Sequence, residues 1–218
     1  MLHKTRGIVF KYFKYRDTSI IAKVFTEEFG LQTYMINGVR SKSSKGKIAL
    51  YQPLTLLDLV VYYKESADIN RISEVKCGSP FQTIPTDIRK TAIAMFMAEI
   101  LYKCVKEEGE VHDLFEFIYH SIEILDHLGS NFQNFHLQFM LKLSKYLGFG
   151  MESSDFLDVF YAEEAQLAKE LMDNSYEESA KLNNSSRRKM LDHIIKFFQT
   201  NVDSLKEINS IKVLQEVL

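Results

Sequence analysis

Four cations, Arg40, Lys42, Lys45 and Lys47, sit in the run Asn37-Gly-Val-Arg-Ser-Lys-Ser-Ser-Lys-Gly-Lys47 with no acid among them. A stretch this rich in Gly and Ser cannot bury itself, so it reads as a mobile, solvent-facing loop. Its charges then meet either water or a polyanion. Lys and Arg that neutralise phosphates release condensed counterions, and this term dominates the affinity of proteins for nucleic acid. Lys11, Lys14 and Arg16 extend the cationic track, with Lys4 and Arg6 beyond them. Tyr12, Tyr15, Tyr34 and Tyr51 lie in the flanking apolar runs. An exposed ring stacks on any base, which gives affinity with little sequence preference. A small barrel also needs inward aromatics, so each tyrosine competes between core and surface. The residues expected to contact a nucleic acid are Arg40, Lys42, Lys45, Lys47, Lys11, Lys14, Arg16, Tyr15 and Tyr34.

Two other groups could do chemistry. Arg187-Arg-Lys189 opens a helical run, the end at which the macrodipole disfavours cations. That mismatch points to a phosphate or an acidic peptide as partner, against the plainer reading of a solvated helix face. Glu116, His120, Glu123 and His127 recur at i, i+4, i+7 and i+11, a spacing that could ligate a metal. Leu114, Ile118, Ser121, Leu125 and Leu128 define the opposite, buried face, and bundle ligands project inward, so no metal is expected. The phosphate-binding GxxxxGK[ST] loop, the GxSxG elbow and the GxGxxG turn are all missing from the sequence. No catalytic residue and no cofactor are assigned.

The formal net charge of the 218 residues is only -2, which hides an asymmetry. Residues 1–79 carry 13 Lys and Arg against 7 Asp and Glu, leaving 14 against 22 in residues 80–218. A basic head on an acidic body implies different partners for each. Cys77 and Cys104 are the only cysteines and suit a reducing cytosol. No apolar run approaches the roughly 20 residues of a membrane span, so a soluble, cytoplasmic protein is expected.

The elements that must position these residues follow from periodicity. Alternation predicts strands over Gly7–Tyr15, Ser19–Thr26, Leu31–Ile36, Leu54–Tyr63 and Ile69–Val75, with Gly30 turning between the second and third. Five short strands in roughly 75 residues suit a small oligonucleotide-binding barrel. Beyond Pro80 and Pro85 the period becomes helical, with helices expected over Thr86–Glu108, Val111–Leu128, Asn131–Leu147, Glu163–Met172, Arg187–Asn201 and Ile208–Val217. Ser175-Tyr-Glu-Glu178 has the form of a capping box. The fold class is α+β, with a five-stranded barrel over 1–79 and an all-α domain over 80–218.

Several pieces occur together in one order: Gly7-Ile-Val-Phe10, Tyr15-Arg-Asp-Thr-Ser-Ile-Ile21, Phe25-Thr-Glu-Glu-Phe-Gly-Leu31, Asn37-Gly-Val-Arg40, and Leu50-Tyr-Gln-Pro53 through Asp58. With these, the first 58 residues resemble the RecO family of bacterial recombination mediators. Leu143-Ser-Lys-Tyr-Leu-Gly-Phe149 is similar to a helix end of that family. The resemblance implies binding of single- and double-stranded DNA, partnership with RecR and single-strand-binding protein, and indirect support of RecA loading and strand annealing. Two departures stand out. Many members carry a four-cysteine zinc site after this segment, whereas residues 151–171 hold no cysteine, so no zinc is expected. Asp17 stands where the family usually has Glu. The competing reading is a helical adaptor whose barrel docks a peptide.

Overall fold

A computed structural model describes residues 1–42, 44, 46–106, 111–150, 160, 162–178 and 180–218. The chain divides into two compact units, Met1–Phe81 with Val105–Ile122, and Gln82–Cys104 with Glu123–Leu218.

The first unit is a closed barrel of β1 (Leu2–Tyr15), β2 (Ser19–Thr26), β3 (Gly30–Ile36), β4 (Leu56–Tyr62) and β5 (Asn70–Ser79), in the order β1-β2-β3-β5-β4. All pairings are antiparallel except β3 with β5, which is parallel and closes the barrel. Val9, Ile20, Ala22, Val24, Tyr34, Leu57, Leu59 and Val61 fill the interior. Simple alternation would send Lys11 inward with Val9. A bulge prevents this: Val9 faces Val24 while Lys11 faces Lys23, so Phe10 is the extra residue. One inserted residue reverses the side on which all later side chains emerge. Tyr12 therefore packs on the interior, and Lys11 and Phe13 turn outward. β4 starts two residues later than the sequence predicts. Leu54 holds φ 65 and donates its N–H to the Val9 carbonyl at 2.6 Å, a turn rather than a ladder.

Within the same unit, the first turns of α2 (His112–His127) pack on the barrel's outer surface. The Phe115 ring lies 5.9 Å from Phe25, which stacks on Phe10 at 5.5 Å. Such aromatic pairs add to the ordinary gain from apolar burial.

The second unit contains α1 (Ile88–Cys104), the last residues of α2, α3 (Phe135–Tyr146), α4 (Ala162–Asp173), α5 (Asn184–Asn201) and α6 (Ile211–Val217). Asp126, only 2% exposed, accepts from the N–H groups of Gln82, Thr83 and Ile84 at 2.7–2.9 Å. Burial alone would raise its pKa, but these three donors outweigh it and lower it. The buried Lys90 ammonium donates to Thr83 Oγ1 and to the Asp126 carbonyl, which fastens the segment before α1 to the end of α2. Asn183 caps α5 through its Oδ1, which accepts from Ser186 N at 2.8 Å. Ser175-Tyr-Glu-Glu178 instead closes a turn, with Glu178 Oε2 3.5 Å from Ser175 N and no helix over residues 176–178.

Glu99 tethers the last helix. Its carboxylate accepts from Asn209 N at 3.0 Å, Ser210 N at 2.8 Å and Ser210 Oγ at 2.7 Å, and pairs with Lys103. Burial pushes the Glu99 pKa up, but the Asn209, Ser210 and Lys103 donors carry it down from 4.5 to about 2. A depressed carboxyl stabilises the fold above its unfolded pKa and loses that contribution as pH falls through the folded value. Glu99→Gln should therefore melt below the wild type at neutral pH, and the gap should narrow as pH drops below about 4.5. A gap constant from pH 7 to 3 would show that the carboxylate charge does not hold α6.

Candidate nucleic-acid interface

The loop after β3 is built rather than loose over its described residues. Gly38 at φ +68 and Gly46 at φ +83 take left-handed turns that a side chain would strain. The Ser41 hydroxyl donates to the Gly38 carbonyl at 2.7 Å, and the Ser44 hydroxyl to the Val39 carbonyl at 2.8 Å. Val39 and Tyr51 plug into the barrel, 3% and 2% exposed, and anchor the loop at both ends. The serines thus tie the loop internally, where composition alone suggested mobility. Lys42 and Lys47 extend into solvent. Arg40 plays a second part: its N–H donates to the Thr18 carbonyl at 2.8 Å and its Nη1 to the Arg16 carbonyl at 3.1 Å. It locks the β1–β2 turn, where Arg16 takes φ 48. Lys45 lies outside the described residues.

Register places the remaining candidates. Lys11 of β1 faces Lys23 of β2, which faces Thr33 of β3. The next outward row runs Phe13, Ile21, Met35, Arg71 across four strands. Cations directly opposite each other destabilise a sheet unless an anion joins them. Phe13 is 41% exposed, with the Lys11 ammonium 5.2 Å from its ring centre, and the Arg16 guanidinium lies 5.3 Å from that of Tyr15. Lys14 stands exposed at the barrel's rim. The structure thus gathers Lys11, Lys14, Tyr15, Arg16, Arg40, Lys42 and Lys47 onto one side of the barrel and the loop beside it. Phe13, Lys23 and Arg71 join them, and the sequence reading missed all three. The bulge at Phe10 turns Phe13 outward. Lys23 and Arg71 face outward by the alternation of their own strands, Lys23 between the buried Ala22 and Val24 and Arg71 between the buried Asn70 and the core-packed Ile72.

One expected contact, Tyr34, and two further candidates, Tyr51 and Arg6, do not belong there. Tyr34 lies in the row Tyr12, Ala22, Tyr34, Asn70, which faces inward, and it is fully buried. It has no ring face for a base, and burial raises its hydroxyl pKa. Tyr51 is likewise core, its hydroxyl pushed up to about 12 by burial. Arg6 is committed to acids: its Nε and Nη2 grip Glu27 at 2.9 and 2.8 Å, and Nη2 also donates to Glu116. Its guanidinium lies 5.2 Å from the ring centre of Phe115 and 4.9 Å from that of Tyr119.

Arg187-Arg-Lys189 is also spoken for. Arg187 is buried, and its Nε donates to Asn134 Oδ1 at 2.9 Å. Its Nη1 donates to Asn184 Oδ1 and to the Leu218 carbonyl, and its Nη2 to the Leu182 carbonyl. Arg188 donates to the Gln215 carbonyl, and Lys189 pairs with Glu164 at 2.6 Å. The cations at this helix start answer carbonyls and an acid of the chain itself, which removes the case for a phosphate.

Glu27, His112 and Glu116 bring ligand atoms within 4.8 Å of one another. The Arg6 guanidinium already bridges both carboxylates, so a cation occupies the position a metal would take. Of the polar stripe on α2, Glu116 turns to Arg6 and pairs with His120 at 3.3 Å, while His127 Nδ1 lies 2.7 Å from the Glu123 carbonyl. Cys104 is buried and its thiol is pushed up to about 12 by burial.

A closed five-stranded barrel bearing an outward cationic and aromatic face, followed by a helical unit, defines the class: an oligonucleotide-binding fold joined to a helical domain. Residues 1–81 match the family described as Recombination protein O N terminal, and residues 85–156 match Recombination protein O C terminal. The chain belongs to the RecO family of DNA repair proteins. It is 34% identical over 240 aligned positions to the DNA repair protein RecO of Bacteroides fragilis, covering all of this chain and 99% of the relative. It is 32% identical to that of Flavobacterium johnsoniae over 98% of both chains. Over 72% of this chain and 65% of the relative, it is 40% identical to that of Phocaeicola vulgatus. No helix among the described residues is long and apolar enough to cross a membrane.

Proposed function

We propose that this chain is a non-catalytic mediator of recombinational repair that holds single- and double-stranded DNA through residues 1–79. The helical domain, residues 80–218, would recruit RecR and single-strand-binding protein, and the assembly would help load RecA and anneal strands in the cytoplasm at the nucleoid. The observation that carries the reading is the facing pair Lys11 and Lys23 beside the cationic loop. Lys11, Lys14, Lys42 and Lys47 are exposed on this part of the chain, and cations gathered in this way favour a polyanion. The acidic composition of residues 80–218 disfavours DNA and leaves that part to proteins.

DNA held by its phosphates weakens steeply with salt, with a slope of about -0.7 per contact on a single strand. Titrating the full chain with a labelled single-stranded oligonucleotide at low and moderate salt tests this. Affinity that falls by more than tenfold between about 50 and 200 mM supports the proposal. Affinity indifferent to salt would favour the adaptor whose barrel docks an apolar peptide.

A further inference from the structure

Two cavities of similar size open on the barrel unit, and their linings differ in charge. The first, about 460 Å³, alternates Lys4, Arg6 and Lys76 with Glu27, Asp58 and Glu74. Arg6 pairs with Glu27 and faces Asp58, which faces Lys76, so cations and acids balance here and an anion meets no net positive charge. The second, about 480 Å³, has no acid among the described residues that line it.

The second cavity exists because the parallel ladder between β3 and β5 is short. Only Tyr34 with Asn70 and Met35 with Arg71 are paired. Past them the strands part, and the gap is lined by Ile36, Asn37, Leu50, Ile72, Ser73 and Val75 among others. Ser73 is the extra residue of a bulge, because Val60 faces Glu74 while Val61 faces Ile72. Lys47 and Arg71 also line the cavity, and both are exposed. The volume lies within the ~300–1,000 Å³ typical of small-molecule sites. The walls are apolar, with a few polar groups and two cations, which matches a flat heterocycle attached to a phosphate.

We infer that this cleft between β3 and β5 takes one unstacked nucleobase of a single-stranded nucleic acid, with Lys47 and Arg71 on the flanking phosphates. The inference rests on the DNA-binding reading above and adds a preference to it. Bases of a duplex are stacked and paired inward, so only a single strand can fill the cleft.

Ser73→Leu fills the cleft with an aliphatic group that offers no ring for stacking. Ser73→Ala leaves it open and serves as control, with melting curves of both variants checking the fold. The full chain is titrated with a labelled oligothymidine and with an abasic strand of equal length. Ser73→Leu is expected to weaken oligothymidine binding about tenfold, the effect of losing one enclosed base. Abasic binding should stay unchanged, and Ser73→Ala should behave as wild type. Equal weakening of both strands, or no change in either, overturns the base site without overturning the DNA-binding reading. The second of these results would leave the cleft to another occupant, such as an extended peptide. Failure of the wild type to bind either strand overturns this inference together with the DNA-binding reading.

Discussion

Replacing Arg187 by methionine is expected to lower the melting temperature by roughly 10 °C while leaving the DNA affinity of the folded protein unchanged. Methionine keeps much of the apolar stem and removes the guanidinium. Asn134, Asn184, Leu182 and Leu218 would each lose a charge-assisted donor in a buried or half-buried setting. A buried acceptor left without its donor costs about 1–3 kcal/mol, so losing these contacts, partly offset because no charge remains to be buried, costs about 3–5 kcal/mol in all. Near 200 residues, each kcal/mol moves the midpoint by about 2–4 °C. Lysine at the same position keeps the charge but cannot span acceptors on three sides, so its melting point should fall between the two. If Arg187→Met melted like the wild type and lost DNA binding, the arginine would be a ligand contact after all.

The second large effect is on binding. Reversing Lys11, Lys14, Lys42 and Lys47 to glutamate together should weaken single-strand binding on the order of a hundredfold at low salt, with little change in melting. These four side chains are exposed, and surface substitutions of this kind usually shift stability by less than about 0.5 kcal/mol each. Arg40 is left out deliberately. Its backbone and guanidinium hold the β1–β2 turn, so its loss would mix local disorder with lost charge. A quadruple variant that melts normally and binds as tightly as wild type would remove the proposed interface.

How far the sequence revealed this arrangement depended on whether the controlling contact was local. β2 runs over Ser19–Thr26, as alternation predicts, because its pattern reflects one burial face over its whole length. The five-stranded barrel and the helices that follow it were likewise legible. β1 was legible as a strand but not in its facing. One bulge at Phe10 decides whether Lys11 points into the core or out to solvent, and alternation carries no mark of it. Tyr34 misled for a related reason: a tyrosine in a barrel strand reads the same whether its ring is interior or exposed. Arg187 and Arg6 were illegible because their partners lie far along the chain, Leu218 for one and Glu116 for the other. A local rule, that cations disfavour a helix start, saw the anomaly at Arg187 and assigned it to an outside ligand. Burial of that side chain against distant carbonyls was the answer.

The central proposition is that solvent-facing lysines on one side of the barrel grip the phosphates of DNA. Its most direct test is the slope of log affinity against log salt for a single strand, measured for wild type and for the Lys11, Lys14, Lys42, Lys47 reversal. Four lost phosphate contacts predict a slope shallower by about 3 in the variant. Identical slopes in the two proteins would contradict the account.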